Sequence, residues 1–376
     1  MATRQPDIVC FSHLRWDFVF QRPQHLLTRA ARTRRVYYVE EPRINASGPA
    51  LQVSQRANGI NVVVPLLPPD GRAQHAAASV LRGLINELLT RFGVVEYILW
   101  YYTAAALSYT DHLHPRLTVY DCMDELAAFA GAAPELASQE KALFERADVV
   151  FTGGISLYQS KRSQHRNVHL FPSSVDAAHF ARARVGAGEP PDQAAIPHPK
   201  LGYCGVIDER MDLALLADIA AQRPHWNYVL LGPVTKIDAA ALPQSDNLHY
   251  LGAKAYGDLP QYLAGWDVAL LPFAKNRATR YISPTKIPEY LAAGKPVVST
   301  SIADVVCAYG NTPLVSIADS AAAFIAATEN AIRQSKDAAW FEKADAALAR
   351  TSWDLTWAAM IEAIDAASSC DRRALG

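Results

Sequence analysis

The 376-residue chain reads as an α/β protein of two domains, each a parallel sheet flanked by helices, with a terminal helix that docks back on the first domain. Two observations predict this. Short apolar runs alternate with amphipathic helical segments through both halves, the pattern of parallel strands joined by crossover helices. Between the halves, residues 183–200 lose all periodicity and hold Gly186, Gly188, Pro190, Pro191, Pro197 and Pro199, the composition of a linker. A chain this long gives each half enough residues for a full core.

Residues 7–12 form a first strand and 24–31 a helix with apolar residues at helical spacing. Strands are expected at 35–39 and 60–65, then an amphipathic helix at 79–92. Strands at 97–101 and 117–120 precede a helix at 134–146 and a strand at 148–152, and residues 169–172 close this half. Beyond the linker, strands at 201–206, 227–231, 248–251 and 268–272 alternate with helices at 213–222 and 259–264. A helix at 284–293, a strand from Val297 and helices at 321–333 and 340–349 complete the second half. Ser352 caps a last helix on which Trp353, Trp357 and Ile361 share one face. Two indoles on one face require burial, so this helix docks. The expected division is a first domain at 1–182, a linker at 183–199, a second domain at 200–351 and a terminal segment at 352–376.

Hydrophobic content of 50% and charged content of 19% describe a soluble globular protein, and a net charge of −1 argues against a nucleic-acid binder. No apolar run approaches the roughly 18–20 residues of a membrane span. The first residues lack the apolar core of a secretory signal, so a cytoplasmic location is expected. Arg29, Arg32, Arg34 and Arg35 cluster at the end of the first helix. They suit an anionic membrane surface, as on the inner face of the membrane, and equally the C-terminal end of a helix dipole. Cys10, Cys122, Cys204, Cys307 and Cys370 show no paired spacing, which points to reduced, mostly buried thiols. Neither a zinc pattern nor an Asp-x-Asp pair occurs, so no metal or other cofactor is expected.

The most informative stretch runs from Arg280 to Thr300. Pro284 suits a first helical turn, Gly294 a helix C-terminus, and Val297-Val298 a buried strand. The N–H groups of Thr285 and Lys286, the Lys286 ammonium and Arg280 make an anion site beside Ser283 and Pro284. Glu289, one turn on, is placed to accept from two neighbouring hydroxyls, so a diphosphate with an adjoining ribose fits this layout.

Glu289, Ala292, Gly294, Pro296, Val297 and Val298 reproduce Glu-x-x-Ala-x-Gly-x-Pro-Val-Val, and the segment resembles the donor-binding element of GT-B glycosyltransferases, family 4 in particular. Further blocks resemble the same family in order: Ala147-Asp148-Val-Val, Phe171-Pro-Ser-Ser-Val175-Asp176, Trp266-Asp267-Val-Ala-Leu-Leu-Pro272 and Ser352-Trp353. The opening, His13-Leu-Arg-Trp16-Asp17 to His25, is similar to a bacterial subgroup associated with cell-surface polysaccharide synthesis. The resemblance implies the GT-B fold: two Rossmann-like domains, a deep interdomain cleft and a C-terminal helix crossing back. It also implies sugar transfer from a nucleotide-diphosphate donor, UDP-sugar preferred, to a glycan or lipid-linked acceptor, without metal and with retained configuration. Two positions depart from the family. Tyr281 replaces a Glu associated with the transferred sugar, and Val206 and Met211 replace a basic pair, which leaves Arg210, Arg280 and Lys286 for the diphosphate.

Leaving-group charge must be stabilised electrostatically; Lys286, Arg280, Arg210 and the N–H groups of Thr285 and Gly205 are the candidates, with Lys254 near the base. An inverting course needs a carboxylate base instead. Asp121 and Asp124 follow a strand end facing the cleft, and either also suits capping the next helix. His13, Trp16, Asp17, Arg22 and His25 crowd the end of the first strand. They suit an acceptor sugar, with Trp16 as a stacking platform, Arg22 on a phosphate and His13 as a further catalytic candidate. A sugar-nucleotide epimerase of the same fold and a non-catalytic sugar-nucleotide binder are the alternatives. Product analysis separates them from a transferase.

Overall fold

The computed structural model describes residues 5–44, 47–69, 72–186, 188–335 and 337–374. The first sheet contains β1 (Asp7–Ser12), β2 (Val36–Glu40), β3 (Arg43–Ile44), β4 (Ala50–Gln55), β5 (Ile60–Leu67), β6 (Tyr97–Tyr101), β7 (Leu117–Cys122), β8 (Val149–Thr152) and β9 (Val168–Leu170). Its order is β3-β5-β2-β1-β6-β7-β8-β9, with β4 antiparallel to β5 and the other pairs parallel. The second sheet contains β10 (Lys200–Cys204), β11 (Asn227–Leu231), β12 (Leu248–Gly252), β13 (Val268–Leu271), β14 (Val297–Ser299) and β15 (Val315–Ile317), parallel throughout in the order β12-β11-β10-β13-β14-β15.

Successive side chains of a strand point to opposite faces. Accordingly Val9, Phe11, Tyr37 and Val39 pack on one face of the first sheet, and Ile8, Cys10, Val36 and Tyr38 on the other. Burial on both faces is what a near-continuous apolar strand requires. The terminal helix Trp353–Ala374 covers the second face through Trp353, Met360 and Ile364, the docking that its two indoles predict.

The packing shifts the expected boundary at 182. Val175, Phe180, Ala183 and Ile196 lie in the core of the second sheet, so the helix Ala177–Ala181 packs with that sheet. The described part of the expected linker is ordered. Gln193 is fully buried, accepting from the Trp266 indole at 3.0 Å and donating to the Tyr262 carbonyl at 2.9 Å, while Lys200 pairs with Glu189 at 2.5 Å. Its Pro and Gly content fixed the absence of periodicity, not freedom. Elements that escaped the sequence reading include β3, β4, β15 and the helices Leu107–Thr110, Ile155–Lys161, Ala177–Ala181, Pro191–Ala194 and Ala303–Tyr309. Each is short, and the face of β4 lies half-exposed without clean alternation.

Cys10, Cys122 and Cys204 are buried thiols and Cys307 is exposed; the side chain of Cys370 lies outside the described residues. The arginine cluster bonds internally: Arg29 and Arg32 to Asp354 at 2.8 Å, Arg35 to Asp7 and Arg34 to Gln5. It forms a joint between the first and last helices more than a free basic surface. Among the described residues no helix is long and apolar enough to cross a membrane.

Candidate active site

Loops that follow the carboxyl ends of β1, β7, β8, β9, β10, β11, β12 and β13 converge between the sheets, where open α/β folds place their ligands. Two cavities that share Val19, Cys204, Gly205, Val206 and Lys286 occupy this cleft. One, of about 130 Å³, carries most of the charge: Arg22, Asp124, Arg210, Lys286 and Glu289 line it, with Ser283, Pro284 and Thr285. The other, of about 300 Å³, is walled by Trp16, Phe20, Val206, Pro233, Tyr256 and Leu259.

On the second-domain side, the helix Lys286–Ala292 starts two residues later than expected and spans seven residues. Thr285 N–H is not free, because it donates to the Ser283 carbonyl at 2.8 Å. The Lys286 ammonium lies 2.9 Å from Glu289 Oε2, with the side chains 18% and 11% exposed. Burial, the largest single effect, disfavours the ammonium, but the charge and hydrogen bond of Glu289 together with Cys204 outweigh it and raise the Lys286 pKa. Arg210 is held in the same way by Asp208, Nη2 to Oδ2 at 2.8 Å. Gly205 N–H, expected on the diphosphate, instead donates to the Leu231 carbonyl at 2.9 Å. Arg280 is exposed over the Tyr281 ring and lines neither cavity. Tyr281 itself packs against a core cluster of the first domain, away from the role of the Glu it replaces. Lys254 lines the apolar cavity, but its ammonium turns to Asp192 at 2.6 Å and lies over the Tyr262 ring.

On the first-domain side, Asp121 is fully buried and clamps Arg22, Nε to Oδ1 at 3.0 Å, so it is unavailable as a base. Arg22 also donates to the Phe171 carbonyl at 2.7 Å; its charge is matched by Asp121, which removes the expected surplus for an acceptor phosphate. Trp16 is only 6% exposed and packs edge-on against Tyr38, not as a free platform. Asp17 pairs with Arg56 at 2.6 Å. His25 stacks on Trp353 with centroids 4.5 Å apart; burial first, then Arg29 and Lys286, lowers its pKa to about 3. His13 lines neither cavity, and burial lowers its pKa to about 4. Both imidazoles are therefore neutral near pH 7.

Asp124 stands apart. Of the three carboxylates lining the cavities (Asp17, Asp124 and Glu289), it alone makes no side-chain hydrogen bond or ion pair among the described residues. Burial raises its pKa to about 6, with Arg210 and Lys236 pulling the other way. That environment suits a proton carrier near neutral pH.

Contacts across the cleft were invisible in the sequence. Asp304 of the second domain accepts from Ile155 N–H at 2.8 Å and Ser156 N–H at 2.9 Å, capping a helix of the first domain. Gly154 permits the approach, since a Cβ there would lie 2.3 Å from Asp304 Oδ2. Phe129 receives Lys236 at 4.7 Å and Arg210 at 5.7 Å on its ring, and Ala130 N–H donates to Glu209 at 3.1 Å. Phe20 stacks on Tyr256 with centroids 4.4 Å apart. No local pattern pairs residues so far apart in the chain.

Residues 198–334 match the family described as Glycosyl transferases group 1. The second domain is of the group 1 glycosyltransferase type. Over 203 residues the chain is 25% identical to TuaH of Bacillus subtilis (strain 168), a protein named for teichuronic acid biosynthesis as a glycosyltransferase. That match covers 49% of this chain and spans about half, 50%, of the relative's length. Among solved structures, sucrose-phosphate synthase from Thermosynechococcus elongatus superposes with a TM-score of 0.70 at 15% identity, covering 97% of this chain and 100% of that one. Anabaena HepE in complex with UDP and glucose gives 0.64 at 13% identity, covering 95% and 99%. These likenesses establish the GT-B fold across the chain.

Proposed function

We propose that this protein is a glycosyltransferase of cell-surface polysaccharide synthesis. It moves a sugar from a nucleoside-diphosphate donor, UDP-sugar preferred, to a glycan or lipid-linked acceptor, without a metal. One observation carries this reading: two carboxylate-tethered cations, Lys286 and Arg210, stand in a polar chamber that opens onto an apolar one. A nucleotide sugar divides its chemistry in the same way. As the glycosidic bond to phosphate breaks, negative charge grows on the leaving diphosphate, and cations fixed in a cleft stabilise it more than mobile ones would. The phosphate oxygens displace Glu289 and Asp208 as partners of those cations. The family resemblance supports retention, in which the acceptor proton passes to the departing phosphate. Asp124 then binds a sugar hydroxyl; in an inverting course it would take the acceptor proton itself.

The test is calorimetric binding of UDP and GDP to the wild type and to Lys286→Ala. The expected result is binding of UDP in preference to GDP, weakened at least tenfold in the variant, about 1.4 kcal/mol. Absence of binding by either nucleotide to the wild type overturns the reading. Incubation with a UDP-sugar then separates release of UDP onto an acceptor from epimerisation of the donor and from binding without turnover.

A further inference from the structure

Between β7 and the helix Leu136–Arg146, the first domain reaches an arm toward the second. The arm leaves Asp124 in the cleft, turns through Leu126–Ala128 and continues to Phe129 and Ala130. The segment of the second domain that carries Arg210 grips its tip. Ala130 N–H donates to Glu209 Oε1 at 3.1 Å, and the Glu209 carbonyl accepts from Asn276 Nδ2 at 2.7 Å. The Phe129 ring takes two cations, Arg210 Cζ at 5.7 Å and Lys236 Nζ at 4.7 Å from its centroid. Like charges drawn to one ring repel each other, so packing alone does not account for the arrangement. Lys236 reaches it from a backbone at φ 60°, the one positive φ outside glycine among the described residues. A residue with a Cβ holds that conformation at a cost, and such strain concentrates where function requires it.

We propose that Phe129 is a positioning residue whose ring holds the Arg210 guanidinium in place while that group exchanges Asp208 for the donor diphosphate. This inference rests on the reading of Arg210 as a diphosphate ligand. An arginine that lets go of its carboxylate regains the freedom of a long side chain, and that freedom is lost again on the phosphate. An aromatic face keeps the freedom from arising. It attracts the cation through its quadrupole and offers no oxygen that competes with phosphate for the N–H donors. Asp208 is therefore the partner that is exchanged, and Phe129 the partner that stays. Ring and guanidinium belong to different domains, so the hold exists only while the domains are together. Their approach and the readiness of the leaving-group cation become one event. Arg210 and Lys236 also draw the Asp124 pKa down against burial, so both charges act at the start of the arm as well as at its tip.

The experiment measures calorimetric binding of UDP, GDP and inorganic pyrophosphate to the wild type, Phe129→Leu, Phe129→Tyr, Arg210→Ala and the double variant Phe129→Leu/Arg210→Ala. Leu keeps an apolar side chain at the tip of the arm and removes the π-face. Phe129 is only half-buried, so the change leaves the fold intact. The expected result in Phe129→Leu is a loss of about fivefold for the preferred nucleotide and for pyrophosphate, the scale of a partly exposed cation–π contact. Phe129→Tyr, which keeps the ring, binds like the wild type. In the Arg210→Ala background Phe129→Leu causes no further loss, because the ring then has no guanidinium to hold. Wild-type affinity in Phe129→Leu overturns the inference and leaves the donor reading intact. The same loss with and without Arg210 also overturns it, since Phe129 would then act only by joining the domains. Failure of the wild type to bind either nucleotide overturns both.

Discussion

The two walls of the cleft handle their charges differently. On the first-domain wall, Arg22 and Asp121 are 1% and 0% exposed and bind each other across 99 positions of sequence. On the second-domain wall, Lys286 and Arg210 are tethered by carboxylates only three and two positions away, at the rim of an accessible chamber. A long-range buried pair serves architecture; in the proposed function the local pairs at the cavity are exchangeable placeholders. Charge type alone did not distinguish them.

Breaking the first wall gives the largest expected effect. Arg22→Ala leaves Asp121 buried and unpaired, which costs about 3–5 kcal/mol; urea unfolding measures it, and the double variant Arg22→Met/Asp121→Leu recovers most of the loss. Gly154→Ala comes next. Its new Cβ meets Asp304 Oδ2 at 2.3 Å, so overpacking of about 1–3 kcal/mol is expected, with a larger radius of gyration by scattering as the domains part. Arg210→Ala on the second wall leaves the buried Asp208, among the described residues, with only the main-chain N–H of residue 210. It should therefore also cost stability, by less than Arg22→Ala because the guanidinium itself is 26% exposed, and it should weaken UDP severalfold by calorimetry. An unfolding midpoint that falls as far as that of Arg22→Ala would erase the distinction between the walls.

The smallest effect concerns Asp124. Its folded pKa of about 6 lies above the ordinary 3.8, so the folded state holds a proton that the unfolded state has lost between those values. Stability from this group is fully present below the unfolded pKa and declines as pH rises through about 6. Asp124→Asn removes that slope, and chemical denaturation at a series of pH values reads the difference. If Asp124 transfers a proton, the variant also loses the rate limb near pH 6.

Much of the fold was legible because it is written in local periodicity. β1 and β6 match the expected ranges at both ends, and the two Trp of the last helix predicted its docking. The group 1 segment around Glu289 and Lys286 was legible for the same reason, as contiguous residues on one helix. What local pattern did not give was the partner of each charged side chain, although the Ser352 cap was legible and forms, Leu355 N–H donating to its hydroxyl. Asp121 and Asp124 are equivalent candidates in sequence, separated only by Cys122 and Met123. One lies within the buried strand β7 and reaches Arg22, and the other lies just beyond its end in the cleft. Arg280 looked like a donor ligand beside Lys286, but the turn before the helix carries it outward. The Phe129 and Asp304 contacts depend on how the domains meet, which no local pattern encodes.

The chain crosses between domains twice. Phe171 packs with the first domain and Val175 with the second; later Leu348 packs with the second and Trp353 with the first again. A single tether acts as a ball joint, whereas two tethers act as a door hung on two pins. Swinging about the line through both crossings is cheap, and twisting or sliding across it strains both strands at once. The protein thus inherits a preferred direction of motion from its connectivity. Severing one crossing would leave every residue of the cleft in place and still remove the alignment that brings its two walls back into register.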